Sequence, residues 1–155
     1  MKLQTSSRLA IFAVLELATR EGLQLSVADI GQKYGVSSHH LAKVMHVMSR
    51  AGLVRSVRGA RGGYQFIGNP RRTTLLDVVR LFEDSDAFED EIGTSDATPE
   101  GQALRTILGE IDNITQATLG SVTIATMRAL VDRRGASGGA RRGGDSRRRR
   151  SGSHP

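Results

Sequence analysis

The chain has 155 residues, a formal net charge of +6 at pH 7, and no cysteine or tryptophan. That length allows one small domain with an extension, and the low aromatic content argues against a large deep core. Without cysteine there are no disulfides, thiol nucleophiles or thiolate metal ligands, and no apolar run is long enough to span a bilayer.

The charge is unevenly placed. Residues 1–82 carry 12 Lys or Arg against 4 Asp or Glu, a balance of +8. Residues 83–132 carry 2 against 11, a balance of −9, and residues 133–155 carry 8 against 1, a balance of +7. A basic head, an acidic middle and a basic tail are expected to have separate tasks.

The pattern predicts a first helix over residues 7–20. Leu9, Ile11, Phe12, Val14, Leu15, Leu17 and Ala18 leave few polar positions there, so this helix should be buried on most sides. Ser26, with Asp29 three residues later, has the form of a capping box, and Gly35 is placed to end the second helix. A third helix is expected to open at Ser37 or Ser38, run to about Arg50 and stop at Gly52. On it Leu41, Val44, Met45, Met48 and Ala51 should point inward, while His39, Lys43, His46 and Arg50 form an outward stripe of donors and charge. Alone, that stripe would be an ordinary solvated face.

The next segment changes its meaning. Residues 53–57 and 64–67 are short runs rich in β-branched and aromatic residues, separated by Gly-Ala-Arg-Gly-Gly, which reads as a β-hairpin. Arg58 and Arg61 at its tip are suited to phosphate, which a guanidinium can bond through two parallel donors. A donor-rich helix followed by such a wing is the arrangement of a winged helix-turn-helix, whose third helix enters the major groove.

After the wing, Gly68-Asn69-Pro70 breaks the strand, and Thr73 or Thr74, with Asp77, should cap a fourth helix carrying Leu75, Leu76, Val78, Val79, Leu81 and Phe82. Pro99 suits the first turn of a long helix reaching about Leu119. Its seam of Leu104, Ile107, Leu108, Ile111, Ile114 and Thr118 needs a partner, most simply a second copy of the chain; an intrachain helical hairpin is the alternative. Gly120 should interrupt that helix and residues 123–131 form a short last one. Residues 133–155 have no apolar period and read as a disordered Arg/Gly-rich tail, either adding attraction to nucleic acid or simply solubilising.

Three stretches together resemble one bacterial family. Ser37-Ser38-His39-His40-Leu41, Ala51-Gly52-Leu53-Val54-Arg55-Ser56 and Arg58-Gly59-Ala60-Arg61-Gly62-Gly63-Tyr64, followed by Leu75-Leu76-Asp77-Val78, look like the Rrf2-type winged helix-turn-helix transcription regulators. Met1-Lys2-Leu3 and Ser7-Arg8 are similar too, and the likeness covers roughly residues 1–132. It implies a homodimeric repressor or activator in which Ser37, Ser38, His39, His40 and Lys43 open the recognition helix; the outward stripe adds His46 and Arg50 as candidate DNA contacts. It also implies that Arg58, Gly59, Arg61, Gly62, Gly63 and Tyr64 form the wing. His40 stands where the family more often has tyrosine.

The sensor departs from the family. Cluster-binding members use three cysteines before the dimerisation helix, but residues 83–96 are acidic here, so no iron-sulfur cofactor and no thiol redox sensing are expected. The carboxylates suit a hard divalent cation in type, yet their spacing matches no known loop, and a solvated linker is the better reading.

The fold class expected is therefore mainly α with a small β-hairpin. A winged helix-turn-helix domain occupies 1–82, an acidic linker 83–98, a dimerisation helix and short final helix 99–132, and a basic tail 133–155. The partners expected are double-stranded DNA, a second copy and some small-molecule or protein effector, with no membrane. The location expected is the cytoplasm, with no secretory leader. The histidines, His39, His40, His46 and His154, meet no nucleophile or metal-pair spacing, so no enzyme is expected. A nonspecific nucleoid or RNA-binding protein driven by the tail is the competing class.

Overall fold

A computed structural model describes residues 3–83 and 97–140. Six helices and three strands follow in the order α1 (Thr5–Leu17), β1 (Gln24–Leu25), α2 (Val27–Tyr34), α3 (Ser38–Arg50), β2 (Val54–Val57), β3 (Gly63–Phe66), α4 (Leu75–Val79), α5 (Pro99–Ser121) and α6 (Ile124–Ala140). The architecture is mostly helical with one small antiparallel sheet.

α1 is buried on nearly every side. Leu9, Ala10, Ile11, Ala13, Val14, Leu15 and Leu17 are all inside, as expected of a helix with few polar positions. It starts two residues earlier than the sequence pattern predicts, because its cap comes from far along the chain. Gln4 makes no side-chain cap; instead a Glu83 carboxylate oxygen accepts from the Gln4 backbone N–H at 2.8 Å and from the buried Ser7 hydroxyl at 2.5 Å. An anion at a helix N-terminus also opposes the helix dipole favourably.

The local stop signals hold. Ser26 and Asp29 form a reciprocal capping box, and Gly35 ends α2 at φ 64°. Ser37 caps α3 by accepting from the His40 N–H, and Gly52 leaves it at φ 76°. Between α2 and α3 the chain turns so tightly that a Cβ on Gly31 would lie 2.7 Å from the Val36 carbonyl oxygen. Thr74 and Asp77 form a second capping box at α4, and Pro99 occupies the first turn of α5 behind a Thr98 cap.

The sheet is larger than a hairpin. β2 and β3 pair antiparallel with Arg55 opposite Gln65 and Ser56 opposite Tyr64, and β1 adds a third strand on the other edge of β3, Gln24 facing Gln65 and Leu25 facing Tyr64. β1 comes so close that a Cβ on Gly63 would sit 2.5 Å from the Leu25 carbonyl oxygen.

The core lies between α1, α3, α4 and the sheet, with Val14, Leu17, Leu41, Val44, Met45, Met48, Val54 and Val78 almost wholly buried. Ile124, the first residue of α6, is fully buried among them. The α5–α6 turn is stitched to the segment before α4: Leu75 N–H donates to the Val122 carbonyl and Ile124 N–H to the Thr73 carbonyl, both at 2.9 Å.

Several expectations are corrected. Ala51 is not buried; α3 ends at Arg50, and Ala51, its C-cap, is exposed. Gly120 does not interrupt α5, which continues one residue further to Ser121; a Cβ on this glycine would lie 3.5 Å from a Leu76 methyl. The last helix does not stop near residue 131: α6 carries residues 133–140 of the segment read as a disordered tail. Within that stretch Arg133 Nε donates to the Ala129 carbonyl at 3.3 Å and the Ser137 hydroxyl to the Arg133 carbonyl at 3.0 Å. Nor does α6 fold back over the α5 seam as an intrachain hairpin would. Leu104, Ile107, Leu108, Ile111 and Ile114 are between 42% and 67% exposed. Most of the acidic linker and residues 141–155 of the tail lie outside the described residues. No helix among the described residues is long and apolar enough to cross a membrane.

Candidate nucleic-acid interface

α3 presents two chemically opposed sides. Its inner side buries Leu41, Val44, Met45 and Met48, and its outer side exposes His39, Lys43, His46 and Arg50. Among the described residues none of these four outward side chains has a hydrogen-bond or ion-pair partner, so their donors are available. Ser38 is exposed in the first turn, while the Ser37 oxygen is occupied by the cap. His40 is placed differently. It is half-buried, and its Nε2 stands 3.4 Å from the Ser6 hydroxyl, facing α1 rather than the outer row.

The hairpin follows α3 directly, anchored by Leu53 N–H donating to the Met48 carbonyl at 3.0 Å. Its tip turns through Gly59 at φ 145°, which favours glycine, and closes with Gly62 N–H on the Gly59 carbonyl at 3.0 Å. Arg58 and Arg61 are exposed at this tip. Tyr64 and Gly63 are half-buried in β3, where Tyr64 packs on the core.

Sequence reasoning missed three residues here. Gln24, on β1, donates its side-chain amide to the Arg61 carbonyl at 2.5 Å and so fixes the far side of the tip. Gln65 accepts from Arg55 Nε at 2.9 Å and from a terminal guanidinium nitrogen at 2.6 Å, holding that arginine against the sheet. Val47 is exposed within the outer row of α3. Only the first two depend on pairings across the sheet; Val47 was legible from helical spacing, since it stands one turn after Lys43.

Behind the interface a polar cluster ties α1 to α2. Glu16 accepts from the Lys33 ammonium and, at 2.6 Å, from the Tyr34 hydroxyl, and the Tyr34 ring stacks on Phe12 with centroids 4.8 Å apart. Burial pushes the Glu16 carboxyl up, but Lys33 and Tyr34 together outweigh it and bring it below its ordinary value. Burial first, and then the Glu16 carboxylate, push the Tyr34 hydroxyl well above the usual phenol range. At the α2 cap, the Ser26 backbone N–H and then its hydroxyl hold Asp29 below the usual carboxylate range.

Comparison with known proteins gives a consistent picture. The sequence model of the Rrf2 family, described as an iron-dependent transcriptional regulator, matches residues 3–129. The chain is 46% identical over 132 residues to the putative HTH-type transcriptional regulator BadM of Rhodopseudomonas palustris, covering 85% of this chain and 84% of that protein. It is 36% identical over 84 residues to the HTH-type transcriptional regulator CymR of Bacillus subtilis, 54% of this chain and 61% of that one. Among solved structures, T. potens IscR matches with a TM-score of 0.68 at 28% identity over 88% of this chain and 90% of its own. CymR, the global cysteine regulator of B. subtilis, matches with 0.67 at 28% over 84% and 98%.

Iron finds no thiolate here. The chain has no cysteine, and among the described residues no group of three or more His, Asp or Glu is placed to hold a metal ion. A cysteine-ligated cluster therefore does not fit the donor set. The matched relatives are transcriptional regulators rather than enzymes, and the family match spans the helices, the wing and most of the C-terminal half. The chain belongs to the Rrf2 family of transcriptional regulators, as a member without cysteine.

Proposed function

We propose that the protein is a sequence-specific DNA-binding repressor that acts in the cytoplasm and grips an inverted-repeat operator as a homodimer, without an iron-sulfur cluster. The observation that carries this reading is the unengaged row of His39, Lys43, His46 and Arg50 on a helix that runs straight into a wing tipped by Arg58 and Arg61. Phosphate contacts from the wing and Ser38 set position; donors on α3 meet guanine edges and flanking phosphates.

The exposed seam on α5 supports pairing. A helix that leaves five large aliphatic side chains in water gains most by meeting its own copy about a twofold axis. Two α3 helices on one side of a duplex then read half-sites about 34 Å apart or a multiple of that. Thr118 continues the seam with its hydroxyl turned onto the Ile114 carbonyl at 2.8 Å, which leaves its methyl for the partner. Any effector signals without thiol chemistry, and the arginines of residues 141–155 add attraction that does not distinguish sequences.

Selection of duplexes from a random pool by the full-length protein, followed by footprinting, tests the reading. Protection of one inverted repeat is expected. Equal retention of all duplexes would favour a nonspecific nucleoid protein instead. Removing residues 141–155 should weaken all duplexes alike and leave the preferred repeat unchanged.

A further inference from the structure

We propose that Val47 reads a base: its side chain meets the 5-methyl group of a thymine in the major groove. The inference rests on the DNA-binding reading above and names one base that the reading would select. Val47 stands on the outer side of α3, one turn after Lys43 and three residues before Arg50, and is 37% exposed. Among residues 3–83 only Val47 and Ile67 are large apolar side chains left exposed. Val47 is also absent from the half-buried side chains that pack on the core.

Neither the helix nor the core asks for valine at this position. An exposed helical site favours Ala, Leu, Lys, Glu or Arg, and a β-branched side chain loses rotamer freedom there. A protein partner is a poor explanation as well. One valine bounded by Lys43, His46 and Arg50 is far smaller than an apolar docking patch, and two of those three neighbours are cations.

A duplex groove explains both neighbours and valine. The flanking side chains can donate to guanine or phosphate, but thymine differs from cytosine in the groove by its carbonyl acceptor and its C5-methyl. Only an apolar group gains by covering that methyl. Valine suits the task because its χ1 is already nearly fixed in a helix, so little freedom remains to be lost on contact.

The test uses the full-length protein and the tightest duplex selected from a random pool. Each thymine is replaced in turn by deoxyuridine, which deletes only the methyl group, and binding is measured for wild type, Val47→Ala and Val47→Thr. Thermal melting confirms that the variants fold. In wild type, one thymine per half-site is expected to cost about fourfold in affinity on conversion, the worth of one buried methyl-sized group. That penalty should vanish in Val47→Ala and shrink in Val47→Thr, which keeps the shape and loses one methyl. A penalty equal in all three proteins, or no thymine that incurs one, overturns the assignment. Failure to enrich any duplex overturns the DNA-binding reading itself, and this assignment with it.

Discussion

The side-chain amide of Gln24 donates to the main-chain carbonyl of Arg61, 37 residues later, at 2.5 Å. The bond crosses from β1 to the hairpin tip and limits how the Arg61 backbone can swing. Gln24→Ala is expected to weaken operator binding by about three- to tenfold, the range of one lost hydrogen bond. The urea midpoint should barely move. Rescue by Gln24→His, whose ring can still donate, would separate loss of this bond from general damage; an Ala variant binding like wild type would show the tip needs no such support.

Among the described residues the Arg58 and Arg61 side chains have no hydrogen-bond or ion-pair partner to lose on substitution, so their replacement should register only in the complex. The double variant Arg58→Ala, Arg61→Ala should lower affinity, and the slope of log affinity against log salt should fall by about one per phosphate contact removed. Filter binding between about 50 and 200 mM salt measures it. An unchanged slope would place the wing off the phosphates.

Ile111 lies mid-seam on α5 and is exposed. Ile111→Asp puts a charge where the proposed partner helix would pack, and a buried unpaired charge costs several kcal/mol, so the dimer should dissociate. Sedimentation at micromolar concentration reads the mass, and far-ultraviolet dichroism should stay near wild type. A dimer that survives the change would move the interface elsewhere.

Glu16 carries a pH signature. Its carboxyl is lower in the folded protein than in the unfolded chain, so the unfolded chain binds a proton first on acidification. The stabilisation is present in full above about pH 5 and is lost as pH falls through the depressed native value. Glu16→Gln should therefore be less stable than wild type at neutral pH, with the gap closing in acid. Denaturant titrations at several pH values check this; a gap that widens toward low pH would reverse the sign.

How legible the chain was depended on how local each signal is. Ser26 with Asp29, Thr74 with Asp77, Gly35, Ser37 and Pro99 act within one turn of where they stand, and each was readable from neighbours alone. β1 was not, since two residues become a strand only by pairing with Gln65 and Tyr64 some forty positions later. The cap of α1 was hidden for the same reason, its acceptor being Glu83. Gly120 and Ala51 misled because a glycine's helix cost and an apolar spacing are averages: one glycine is tolerated inside α5, and Ala51 is the C-cap of α3, at the end of the helix. At the interface, residue types along α3 and the wing were readable, whereas the supports from Gln24 and Gln65 needed the fold.

Ile124 makes the molecule mechanically simple. With this side chain sealed in the head and the α5–α6 turn bonded to Thr73 and Leu75, the long rod is a lever clamped at its base rather than a hinged arm. In the homodimer proposed above, the spacing of two heads on a duplex would then be set by the crossing angle of their rods. In such a pair, a change of that angle would shift the two heads relative to each other with every helical turn intact.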